Sequence, residues 1–122
     1  MPHNWASAEC VRYLRHMLAL EDAGALRLLE GITASEINGS GAYVVRDSPT
    51  RFGRIRLTFE PAGKQGWRLQ FELDRGPAPV SVTVPETIAD LHINSVSGAS
   101  YKKETGRIEI DPTALRWEAF WK

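Results

Sequence analysis

The chain carries three histidines, His3, His16 and His92, and a single cysteine, Cys10. The one close carboxylate–imidazole pair is Asp90-Leu91-His92. On a strand, residues i and i+2 project from one face, so the two groups would reach one metal ion or share one proton. A metal centre needs a third and usually a fourth ligand, and the sequence nominates none. Asp90 and His92 are therefore a weak candidate site, and a surface acid beside a surface histidine is the plainer reading. Cys10 and His16 stand six residues apart, about 240° around a helix turning roughly 100° per residue, so on a helix neither serves the other as base. Cys10 also falls on an apolar stripe, where a free cysteine behaves as a small hydrophobe. There is no Gly-x-Ser-x-Gly elbow, His-Glu-x-x-His pair, Walker loop or spaced dinucleotide glycine motif. These readings predict no catalytic residue, no metal and no cofactor.

Binding rather than reaction is suggested at two places. Arg46, Arg51, Arg54 and Arg56 form the one locally basic run, with Asp47 as its only acid and Phe52 as a candidate stacking partner. Trp117, Phe120 and Trp121 crowd the last six residues. The first reading of these aromatics is closure of the core, which large aromatics dominate. The second is an exposed anchor for a protein partner, where Trp is enriched. Arg46, Arg51, Trp117, Phe120 and Trp121 are thus the candidate partner-binding residues.

Composition narrows the partner. Fifteen Lys and Arg balance fifteen Asp and Glu in 122 residues. The balance holds in each half, so a general electrostatic grip on nucleic acid or a membrane is disfavoured. No stretch approaches the roughly 20 apolar residues of a membrane span, and the N-terminal stretch, broken by Glu9, Arg12, Arg15 and His16, does not read as a leader. One cysteine forms no internal disulfide, and a reducing, cytoplasmic setting is expected. Eleven arginines against four lysines suggest a GC-rich bacterial gene.

Several elements must position these groups. Residues 7–20 predict a helix capped by Ser7, with Cys10, Leu14, Met17 and Leu18 on one stripe. A second helix is expected over 22–30, capped by Asp22 and ended at Gly31. Beyond Gly31 the period changes to two. A weak strand is expected at 33–38 and another at 42–46, with a turn at Asp47-Ser48-Pro49. In 54–60, Ile55, Leu57 and Phe59 alternate with Arg54, Arg56, Thr58 and Glu60. In 67–74, Trp67, Leu69, Phe71 and Leu73 alternate with Arg68, Gln70, Glu72 and Asp74. The two segments predict an antiparallel hairpin with one wet face. With both apolar sets inward, the favoured register opposes Glu60 to Arg68, Arg56 to Glu72 and Arg54 to Asp74, every pair of opposite sign. Arg46 and Arg51 then stay unpaired.

Val80, Val82 and Val84 predict a strand ended by Pro85, and 86–90 a single helical turn. Leu91 and Ile93 begin an extended stretch, and 95–101 with 107–110 read as a hairpin. Asp111-Pro112 suits a helix start, so a C-terminal helix is preferred. Leu115, Trp117, Ala119 and Trp121 also alternate as on a strand. The expected fold is α+β in a single domain: an N-terminal helix or helix pair on one face of a mostly antiparallel sheet of five to seven strands, completed by a C-terminal helix or strand. The expected function is that of a non-enzymatic protein–protein interaction domain, such as a small bacterial inhibitor of the immunity-protein type or an adaptor. A small-ligand pocket between sheet and helices, and an enzyme using Asp90 and His92, are the alternatives.

Overall fold

The computed structural model describes residues 17–39, 41–74 and 77–122. The expected helix over 7–20 lies outside these up to residue 16, and so do His3, Cys10 and His16. The described residues are nearly all β, which overturns the α+β expectation.

Two sheets account for the described chain. The five-stranded sheet has the order β1 (Ala19–Asp22), β2 (Ala25–Leu28), β6 (Ser81–Pro85), β10 (Arg107–Ile110) and β9 (Tyr101–Glu104). The six-stranded sheet has the order β3 (Tyr43–Thr50), β4 (Gly53–Pro61), β5 (Trp67–Leu73), β11 (Arg116–Trp121), β8 (Leu91–Ser97) and β7 (Thr87–Ile88). All pairings are antiparallel except that of β2 with β6. One α-helical turn, α1 (Ala34–Ile37), lies between β2 and β3.

Each sheet buries one face. Leu26, Leu28, Val82, Val84, Ile108 and Ile110 come from the first, and Ile55, Leu57, Phe59, Leu69, Phe71 and Trp121 from the second. They join one continuous core. Phe59 stacks obliquely on Trp67 at 4.8 Å and meets Trp121 edge-on at 5.9 Å. Phe71 lies 5.1 Å from Trp117. Burial of such rings is the largest hydrophobic gain available to a chain of this size.

The β4–β5 hairpin has the expected register, with Arg56 opposite Glu72 and Glu60 opposite Arg68. Other segments differ from expectation. Residues 22–30 are not a helix. Ala23 (φ 48°) and Gly24 (φ 87°) both adopt the positive φ that a two-residue I′ hairpin turn demands. They join β1 to β2, and Gly31 donates its N–H to the Met17 carbonyl instead of ending a helix. A nine-residue helix has little stability of its own. The ladder that β2 makes with β6, pairing Leu26 with Val82, decides the outcome.

Residues 33–38 are not a strand. Thr33 and Glu36 form a reciprocal capping box that starts α1. Asp47 is a bulge inside β3, at φ 48°, and not a turn that ends it. In place of a helical turn at 86–90 there is β7 and a tight turn at Ala89-Asp90. The stretch 95–101 divides at Gly98: its first part pairs with β11 in one sheet, its end with β10 in the other.

The C-terminal stretch is a strand. The Asp111 carboxylate accepts the Thr113 N–H at 3.0 Å, making a turn of the Asp-Pro signal. Alternation then places Trp117, Ala119 and Trp121 inward between β5 and β8. The turn before β5 depends on this approach. A Cβ on Gly66 (φ 85°) would sit 2.0 Å from the Trp121 carbonyl oxygen, so only glycine fits there. No helix among the described residues is long and apolar enough to cross a membrane.

Candidate functional site

The outward residues of the six-stranded sheet form its most elaborate polar surface. Burial of Ile55, Leu57, Phe71, Leu73 and Trp117 forces Arg54, Arg56, Thr58, Gln70, Glu72, Arg116 and Glu118 to the other side. Cross-strand pairing sets these in rows. Arg56 bonds Asp47 at 2.8 Å and approaches Glu72 at 3.8 Å. Arg116 approaches the other oxygen of Glu72 at 3.6 Å. The chain Asp47–Arg56–Glu72–Arg116 thus crosses four strands from the β3 edge inward. In the next row, Gln70 donates to Glu118 at 3.0 Å. Beside it, Arg68 bonds Glu60. The hydrogen bond from Arg56 to Asp47 raises the guanidinium pKa above its ordinary value, with the Asp47 charge second.

Open depressions run along these rows. One of about 390 Å³ is bounded by Arg56, Gln70, Glu72, Arg116 and Glu118 together with Ser97 and Gly98. Two more adjoin it, sharing Asp47 and Arg56. Arg54 lines one and Arg46 the other.

The sequence candidates separate by position. Arg46 and Arg51 are exposed on the β3–β4 hairpin. Trp117 (3% exposed) and Trp121 (0%) lie in the core, and the Trp121 indole N–H donates to the Pro85 carbonyl at 2.9 Å. Phe120 alternates outward and is half-buried beside Arg68. Phe52, read as a candidate stacking partner, is buried at 6% exposure.

Asp90 and His92 are both exposed. Asp90 sits in the β7–β8 turn, and His92 lies in β8 opposite Thr87. The structure records no contact between the two side chains. No cluster of three or more His, Cys, Asp or Glu among the described residues is placed to hold a metal. Sequence reasoning missed Arg116 and Glu118 because β11 was expected as a helix. The alternation that carries them outward was the available signal.

Set against known protein families, curated protein sequences and solved structures, the chain finds no match.

Proposed function

We propose that the chain is a non-enzymatic protein–protein interaction domain whose partner docks on the outer face of the six-stranded sheet. The observation that supports this reading is the chain Asp47–Arg56–Glu72–Arg116, laid across four strands at the surface. Long side chains held in place before binding lose less entropy on docking. A fixed pattern of both signs selects a partner of complementary potential and rejects others by like-charge contact. The depressions lie open along the face, whereas a small-ligand site encloses most of its ligand. Their shape therefore suits a broad macromolecular surface better than the alternative of a ligand pocket.

Within this reading the module is a small bacterial inhibitor or adaptor, comparable in kind to an immunity protein, that works by covering a partner's surface. Its place is the cytoplasm, in keeping with one cysteine and balanced charge.

Charge reversal provides the test. Arg56→Glu with Arg116→Glu disrupts the face at exposed positions. Lys102→Glu changes an exposed cation on the other sheet. In capture from native cell extract coupled to mass spectrometry, a partner retained by the wild type and by Lys102→Glu should disappear with the double variant. Undiminished capture by the double variant would place the partner elsewhere.

A further inference from the structure

We infer that two copies of the chain associate face to face through the outer surface of the six-stranded sheet, about a two-fold axis running along the strands between β4 and β5. This rests on the interaction reading above and names a partner for that face. The outward rungs of the β4–β5 ladder carry the inference: Arg56 with Glu72, Thr58 with Gln70, and Glu60 with Arg68. A two-fold axis along the strands exchanges β4 with β5 of the second copy and leaves each rung at its own height, so every rung meets itself reversed. Arg56 comes to Glu72 of the second copy, Glu60 to Arg68, and Thr58 to Gln70, and each contact occurs twice. A ladder of opposite pairs is thus complementary to its own reversed copy. The symmetry leaves no freedom to slide out of register.

The face is laid out for this contact. The Arg56 and Glu72 side chains keep 56% and 43% of their area exposed despite their ion pair. The middle rung is uncharged, and half-buried Val44 stands beside Thr58. Charges thus flank a neutral centre, as in interfaces whose cores are depleted of charge. Arg56 of the second copy arrives over Glu72, which lines the depression of about 390 Å³ and one beside it, so the guanidinium has room. Across the next pair of strands, Arg116 faces the β3 bulge, where Arg46 and Asp47 together carry no net charge. Glu118, bonded by Gln70, faces Val44. Packed sheets align within about 30° at a separation of about 10 Å, which side chains of this length span.

The mixed signs select the occupant. A purely acidic or purely basic partner meets like charge in every charged rung. Copies of this chain, with no net charge, do not repel one another. A two-fold axis across the strands, over Thr58 and Gln70, would also bring Arg56 to an acid, Glu60. It would set Glu118 against Glu118 of the second copy, like sign on like. The axis along the strands gives Glu118 an uncharged neighbour instead. The contact spans four strands, a small interface, so association is weak and reversible. A second copy and an outside partner then compete for one face.

Sedimentation equilibrium from about 10 µM to about 1 mM, a range that detects a weak dimer, provides the test. The wild type should rise toward twice the mass of the chain, and less so with added salt. Arg56→Glu alone and Glu72→Arg alone each turn two opposite contacts into like ones. Each should lose about tenfold or more in association constant. An equimolar mixture of the two variants has opposite charge at both contacts again, so it should recover the dimer as a mixed pair. Far-ultraviolet circular dichroism establishes that each variant keeps its fold. Lys102→Glu, on the other sheet, should associate as the wild type does. A wild type that stays monomeric, single variants that associate undiminished, or a mixture that fails to associate each overturns the inference. If the wild type is monomeric while partner capture still depends on Arg56 and Arg116, the second copy is refuted and the interaction reading stands. If capture is also unchanged by those substitutions, both fail.

Discussion

Trp117 and Trp121 enter the core from one strand with different fates for their indole N–H groups. That of Trp121 donates to the Pro85 carbonyl, and that of Trp117 has no partner among the described residues. Substitution by phenylalanine removes similar volume at both places but breaks a part-buried hydrogen bond only at Trp121. Trp121→Phe should therefore destabilise by about 1 kcal/mol more than Trp117→Phe, the usual net worth of a hydrogen bond. Urea denaturation measures the difference, and the opposite order would show that cavity relaxation outweighs the bond. At this scale the sequence was readable where partners are local. Arg56 with Glu72 and Glu60 with Arg68 come from alternation and sign alone. The Asp47–Arg56 bond did not, because it depends on a bulge that alternation cannot reveal.

Among the elements, α1 carries the most direct pH dependence. The Glu36 carboxylate accepts hydrogen bonds from the Thr33 hydroxyl and, at 3.0 Å, from the Thr33 N–H. The side-chain bond is the larger cause that holds its pKa below the ordinary carboxylate value. A lowered folded pKa means stability that is complete above the unfolded value, about 4.3 for Glu. That stability is lost as pH falls through the lower folded value. The melting-temperature advantage of the wild type over Glu36→Gln should be present at pH 7 and vanish on acidification below about 4. An advantage that persists or grows in acid would remove the carboxylate from the cap. The pattern Thr33-Ala34-Ser35-Glu36 is a capping-box signature, so this turn was legible, and the change to a period of two obscured it. The β4–β5 hairpin was legible because its strands are adjacent and long enough to alternate repeatedly. The β1–β2 hairpin and β11 were not. Their apolar residues fit helical and extended spacing alike, and partners distant in sequence decide between them: β6 for β2, and β5 and β8 for β11.

For the whole molecule, composition indicated a chain able to bury a core but could not divide that core between two sheets. Along the described strands the chain changes sheet five times: between β2 and β3, β5 and β6, β6 and β7, where Ile93 donates to the Glu86 carbonyl, β8 and β9, and β10 and β11. Such crossings leave no periodic trace. They do determine which face of β3, β4, β5 and β11 meets solvent, and so they create the charged surface. The terminal strands also differ in character. Strand β9 carries Lys102 and Lys103, a common guard against edge-to-edge pairing, and both lysines meet carboxylates. Strand β3 instead carries a bulge at Asp47. The most direct measurement is backbone amide chemical-shift mapping of the isotope-labelled chain with its captured partner. Docking on the six-stranded sheet predicts shifts concentrated in β3, β4, β5 and β11, strongest between residues 46 and 56. Shifts confined to β1, β2, β9 and β10, with the β3–β4 hairpin unchanged, would contradict it.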